Sequence, residues 1–399
     1  MEYVPIMVGF RPERRVRESY SGKVSFPLNG RAPWGFWNRK LEFWAEVICT
    51  HPSMVGKVIP DEDLPSPRHS EFTSALEKLT IQRRAFNLNL LKPDPFPQLL
   101  LWGEHVAFSI LSGIADSRFR FRHAQDHTLC FVHRGQGQIA TDFGLLHFEE
   151  GDFIVLPRGT TYAVGSDSEI TLLMYEFPQR ILRPYHYWLE GYPFAATAPI
   201  PAEPVEIFNP PDPGTTNIWS VYVKYHDGRR ARLEYPFSPF DALAWEGELY
   251  PFILHLKDIR TLSSADFHLD PKALTVFVTE DGTASVQAFL PRWVHSLPYP
   301  HQNYSTEILF NHRGYHARPE IKDGFITLHP TGTFHGPDVR ALAQQHQKSP
   351  DLPQNLPWRN EIGILLESKG PIAVLPAAEP IEVKAYENSW LQQYQEVIK

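Results

Sequence analysis

The sequence predicts an all-β dominated chain with few short helices, folded as two barrels. Three observations carry that expectation. Proline is abundant, at 37 of 399 residues, against a usual share of about 5%. With 24 glycines along the chain, it interrupts helices and favours short strands joined by turns. Apolar and polar residues alternate in segments that recur roughly every ten positions between Gly- and Pro-bearing turns. Finally, one glycine–proline–glycine pattern occurs twice, at 151–162 and again at 324–335.

The elements follow in chain order. Residues 1–100 read as an N-terminal extension, with a solvated basic arm at Arg11–Arg17 and a helix over Ser70–Arg84. Ser70 would cap that helix and Glu71 lies in its first turn. Residues 101–193 form the first barrel. In it Phe131–Phe148 reads as a hairpin with glycines in its turn, followed by a strand at Gly151–Pro157. Six prolines in 194–215 mark an extended linker. The second barrel takes 216–399. It opens with a hairpin, Ile218–Tyr225 and Arg230–Tyr235, turned at His226-Asp227-Gly228-Arg229. Pro337–Gln347 and Tyr386–Ile398 are helix candidates, and 348–358 is a proline-bearing loop.

Bulk composition excludes several classes of function. A hydrophobic content of 42% with 21% charged residues describes a folded chain. The net charge of −8 disfavours a duplex-binding face, so no nucleic-acid partner is expected. No apolar run approaches the ~20 residues that span a bilayer, and no secretory signal is expected from the opening residues. Cys49 and Cys130 are the only cysteines, without the spacing of a disulfide framework or a cysteine zinc site. A cytoplasmic location is expected.

Histidine points to the chemistry. Eight of 18 histidines fall between His255 and His335. Gly324–His335 (GFITLHPTGTFH) fits G-x5-P-x-G-x2-H, in which a tight turn at Pro330 and Gly332 aims His335 into a barrel mouth. Upstream, His301–Glu307 (HQNYSTE), six further residues and Gly314 fit H-x-(H/N)-x3-E-x6-G. On a strand, 301, 303, 305 and 307 share one face. These two segments resemble the motif pair of the cupin superfamily, whose barrels are double-stranded β-helices of jelly-roll type. Asn303 takes the place of a second histidine, leaving His301, Glu307 and His335. Two imidazoles and a carboxylate are the ligand set of mononuclear non-haem iron(II) oxygenases, and zinc or manganese would accept them too. The first barrel holds a worn copy. Gly151–Tyr162 ends in Tyr162 instead of histidine, and Thr128 stands at the glutamate position, so this repeat is expected to have kept its fold and lost its metal.

The resemblance goes further. Segments 131–162, 239–251 (PFDALAWEGELYP) and 327–337 (TLHPTGTFHGP) resemble those of homogentisate 1,2-dioxygenases, closest to their shorter microbial branch, over roughly residues 100–340. That resemblance implies an Fe(2+) enzyme that opens a dihydroxyaryl ring with O2. With homogentisate the product is maleylacetoacetate, a step of tyrosine and phenylalanine catabolism. It also implies His301, Glu307 and His335 as iron ligands, His268 as active-site base, and Tyr299 and His329 as pocket residues. His316, Arg318 and the ligand His335 complete the expected substrate contacts, with Arg318 or Arg313 available for a substrate carboxylate. A trimer or hexamer is expected on the same ground. Two other readings stay open: a metal-dependent cupin isomerase or hydrolase, and a non-catalytic bicupin binding protein.

Overall fold

A computed structural model describes residues 45–49, 57–59, 81–187, 189–203, 218–235, 238–240, 242–247, 249–314, 316–342 and 358–398. Among these, strands dominate. The helices are short 3-10 turns, the α-helix Ser389–Ile398 inside the predicted 386–398, and an α-helical stretch over 339–342 that begins the predicted 337–347 helix, whose later residues lie outside the described ones. No helix of the described residues is long and apolar enough to cross a membrane.

Two sheets enclose the first barrel. One has eight strands and runs through Phe252–His255, Asp152–Leu156, His127–Arg134, Glu169–Phe177, Ala107–Ile114 and Asp94–Trp102. The other has seven, with Trp219–Lys224, Arg120–His123, Thr161–Gly165 and Gly137–Thr141 side by side. Side chains alternate across a strand, so each strand serves two environments. Cys130, Val132, Ile154, Leu172 and Met174 point into this barrel, where Phe121, Ile139 and Tyr162 meet them from the opposite sheet.

A third sheet, also of seven strands, builds the second barrel. Its order runs through Thr275–Thr279, Ala284–Phe289, Glu361–Ser368, Thr306–Gly314, Phe325–His329 and Arg84–Asn87. The outer face of this sheet carries Val286, Ile308, Phe310, Ile326 and Leu366, which join Leu129, Phe131, Phe153, Leu173 and Tyr175 of the first barrel in one shared core. Phe131 meets Phe310 at 6.2 Å and Phe153 meets Phe277 at 5.5 Å between ring centroids. The in-phase neighbours on the other face are polar and buried: Gln287, Glu307, Asn311, Thr327, His329 and Glu367. The body of the first barrel is therefore filled by apolar side chains, apart from buried polar groups such as His123, Glu176 and Lys224, while the other keeps a polar interior.

Several expectations change. The 218–235 hairpin is present, as Trp219–Lys224 paired with Arg230–Tyr235, but it extends the first barrel's sheet through parallel pairing with Arg120–His123. Phe252–His255 joins the first barrel as well, and Arg84–Asn87 crosses to the second, so the boundary at 216 is not a structural one. The predicted 131–148 hairpin is shorter. Only Gly137–Thr141 and Gly144–Phe148 pair with each other, because His127–Arg134 lies between Asp152–Leu156 and Glu169–Phe177 in the other sheet. Of the Ser70–Arg84 helix, residues 70–80 lie outside the described residues, and Arg84 is already extended. The basic arm at 11–17, most of the linker and residues 348–357 of the predicted loop also fall outside them, as do the side chains around Trp245, while Trp358 already begins a short strand.

Candidate metal centre

The two motif histidines are brought together by backbone. His301 N donates to His335 O and His335 N donates to His301 O, both at 2.9 Å, an antiparallel bridge at the barrel mouth. Glu307 is the second residue of the strand Thr306–Gly314 and is paired in register with His329 on one side and Glu367 on the other. The motif glycines make the turns possible. Gly314 sits at φ +90, and a Cβ there would fall 1.8 Å from Asn360 O, so only glycine fits.

His301, Glu307 and His335 place ligand atoms within 4.8 Å of one another. Each histidine is oriented from behind. His301 Nδ1–H donates to Tyr299 O at 2.7 Å and His335 Nδ1–H to Thr333 O at 3.0 Å. A carbonyl can only accept, so Nε2 is left for the centre, the usual way of fixing a metal-ligating imidazole. His335 Nε2 lies 2.8 Å from Glu307 Oε2, yet it is buried with no hydrogen-bond partner. Two acceptor-type atoms converging without hydrogen-bond geometry fit a cation between them. Asn303 Nδ2 donates to Glu307 Oε1, which leaves Oε2 facing His335. The residue in the place of the usual second histidine thus orients the carboxylate.

Electrostatics agree with an anionic ligand facing imidazoles. Burial alone would raise the Glu307 carboxyl, but His329 and His335 beside it hold it down to about 2. Burial lowers His335, and the contact with Glu307 more than reverses this, raising it above the ordinary histidine value. His329 is driven to about 4, chiefly by burial. It stacks on His335 at 4.3 Å and 16°, and its Nε2 lies 2.9 Å from the Tyr386 hydroxyl.

The remaining predicted residues are distributed around this centre. His268 donates Nδ1–H to Ser296 O at 2.8 Å. Burial first, with His301 and Arg292 contributing, lowers its pKa. Tyr299 is largely exposed. His316 Nδ1 accepts from Arg318 N, and burial takes it down to about 4. Arg318 is built into a packed layer: its guanidinium lies 3.4 Å from the Trp390 ring centroid and bonds Glu320 and Ser389. Arg313 pairs with Glu150 of the first barrel. Three contributors escaped sequence reasoning: Glu367, Tyr386 and Trp390. Glu367 was readable as an in-phase position of its strand, whereas Tyr386 and Trp390 come from the C-terminal segment, with no local signal.

A family model described as AraC-like ligand binding domain matches residues 106–216, which lie mostly in the first barrel. Over 288 residues the chain is 28% identical to the "Putative dioxygenase" of Saccharolobus solfataricus, covering 69% of this chain and 71% of that one. It is 27% identical over 301 residues to homogentisate 1,2-dioxygenase of Legionella pneumophila (strain Philadelphia 1), covering 66% of each. The chain is a homologue of homogentisate 1,2-dioxygenases. The match spans slightly under two thirds of that Legionella enzyme. A cupin 2 conserved barrel domain protein from Leptotrichia buccalis superposes with a TM-score of 0.33 at 12% identity, over 74% of this chain and 98% of that one. This homologue of dioxygenases thus combines a double-barrel β fold with a two-histidine, one-carboxylate centre in its second barrel.

Proposed function

We propose that this protein is an Fe(2+)-dependent dioxygenase that opens the ring of homogentisate or a closely related dihydroxyaryl acid. The observation that supports it most is the convergence of His301 Nε2, Glu307 Oε2 and His335 Nε2 in a polar barrel mouth, in a homologue of enzymes of that name. Iron(II) held there would supply a Lewis acid for a ring hydroxyl and an electron conduit to O2. The protein's own part is to place and deprotonate the substrate. A phenol has a pKa near 10, so it needs a proton acceptor at neutral pH. His268 suits that role: Nδ1–H is committed to Ser296 O, and its lowered pKa keeps Nε2 unprotonated and ready to take the proton. His329 and Tyr386 buttress His335 by stacking and a hydrogen bond. Tyr299 and His316 are the proposed pocket contacts. Arg318, already paired with Glu320 and Ser389, would act on a substrate carboxylate through its field. The reading extends to a cytoplasmic homo-oligomer, a trimer or hexamer, whose mass light scattering measures.

The test is anaerobic iron reconstitution followed by oxygen-electrode assays with homogentisate, gentisate and hydroquinones. O2 uptake with a new ultraviolet chromophore is expected from one of them, and Glu307→Ala is expected to abolish both. Full activity in that variant, or anaerobic turnover of a sugar or keto acid with zinc or manganese, overturns the proposal.

A further inference from the structure

The first barrel, which lacks the motif ligands, carries a second buried cluster of its own. His123 ends the strand Arg120–His123, Asp126 lies in the loop after it, and Glu176 lies near the end of Glu169–Phe177. All three are buried, with ligand atoms within 4.8 Å of one another. None occupies a motif position. Glu176 pairs in register with Thr128, as Glu367 pairs with Glu307 in the second barrel, so the carboxylate has moved one strand over. Tyr162, at the position of the motif histidine, contacts His123 Nε2 through its hydroxyl at 3.1 Å. His123 Nδ1 is left buried without a hydrogen-bond partner, 3.9 Å from Glu176 Oε2.

The second half of the cluster repeats the signature of the His335–Glu307 centre. His226, in the turn after Trp219–Lys224, donates Nε2–H to Gly103 O at 3.0 Å. Its Nδ1 lies 2.9 Å from Asp126 Oδ1. Neither this nitrogen nor either Asp126 oxygen, all buried, has hydrogen-bond geometry to a partner. Ser109 Oγ donates to Glu176 Oε1 at 2.7 Å and Lys224 Nζ to Oε2, so that carboxylate is anchored. Beside the cluster a cavity of about 20 Å³, lined by Phe121, His123, Tyr222, Lys224 and Arg230, has room for one water-sized ligand.

We propose that the first barrel binds a second divalent transition-metal cation through His123 Nδ1, Asp126 and Glu176, with His226 Nδ1 as fourth donor. Mixed imidazole and carboxylate donors select zinc, iron, cobalt or manganese over calcium and magnesium, which favour all-oxygen sites. The positive charge of Lys224 makes this the weaker of the two sites, so the second barrel fills first. The proposal does not depend on the dioxygenase reading, which is decided by O2 uptake.

The test uses the full chain, stripped with a chelator and titrated with Co(2+). Bound metal is read by mass spectrometry of the dialysed protein and by visible absorption of the bound ion. Two binding phases and about two ions per chain are expected from the wild type, about one from Glu307→Ala, and none from Glu307→Ala combined with Asp126→Asn. In the Glu307→Ala chain, Lys224→Met is expected to tighten binding at least about tenfold, because it removes the competing charge. A Glu307→Ala chain with wild-type near-ultraviolet circular dichroism that binds no Co(2+) overturns the proposal. Retention of the ion in the double variant overturns it as well.

Discussion

Glu307 shows how a single side chain is prepared for a cation. Its two oxygens have different partners, Oε1 the Asn303 amide and Oε2 the imidazole of His335. The Asn303 contact fixes the carboxylate rotation, and removing it frees a torsion that must be fixed again on metal binding. Asn303→Ala is therefore expected to weaken metal affinity by roughly 10–100-fold, the usual cost of losing an outer-shell partner. Competition with a chelator measures it, and Asn303→Gln, which keeps an amide, should recover part of the loss. The histidines are prepared differently. Carbonyls of Tyr299, Thr333 and Ser296 each take a Nδ1–H, so His301, His335 and His268 are all set in the same tautomer before anything binds.

At the scale of the element, the strand Thr306–Gly314 does three jobs. Ile308 and Phe310 face the first barrel, Glu307 and Asn311 face the interior, and Gly314 ends the strand where its register against Glu361–Ser368 shifts. The shift falls between Asn311 and Arg313, and the positive φ of Gly314 lets the chain leave the ladder beside Asn360. Gly314→Ala adds about 1–3 kcal/mol of backbone strain before the clash with Asn360 O is counted. Urea denaturation is expected to show a loss above that range, with metal affinity falling because Glu307 lies on the same strand. An unchanged urea midpoint would contradict this account of the motif glycine.

Over the whole molecule, the seam between the barrels contains two facing imidazoles. His133 Nδ1 and His312 Nδ1 lie 2.9 Å apart, both buried against Phe310. Burial first, then His312, Arg134 and Arg313, takes His133 down to about 3. Burial, Arg313 and Arg134 take His312 to about 4. Glu150, 3.8 Å from His312 Nε2, does not reverse this. Both groups are neutral in the folded chain, while in the unfolded chain they titrate near 6.5. Below that pH the unfolded state binds more protons, so stability falls as pH drops from about 6.5 toward the folded values. Thermal denaturation of the metal-free chain should show the melting temperature decreasing across this window. His133→Leu with His312→Leu should flatten the decrease, because replacing both partners by apolar groups removes the protonation step.

Sequence by itself determined whatever depends on local spacing. Motif spacing marked His301, Glu307 and His335, and a glycine–proline–glycine turn returns His335 to His301, so the candidate metal centre was legible from two short segments. The expected strand over 301–307 begins only at Thr306, with 302–305 a loop, so the backbone bridge to His335, and not a period of two, holds His301 there. The polar interior of the second barrel was legible in the same way, through the alternation of Glu307 and Asn311 with Ile308 and Phe310. Tertiary structure alone decided pairing at long range. His127–Arg134 is buried on both faces, so alternation is lost and nothing in the segment says which sheet it enters. The strand Trp219–Lys224 reads the same whether it belongs to one barrel or the other. The support of His329 by Tyr386, 57 residues away, and the gathering of His123, Asp126, Glu176 and His226 follow from how two curved sheets close on each other. That depends on the shape and volume of opposed faces, which no stretch of sequence carries alone.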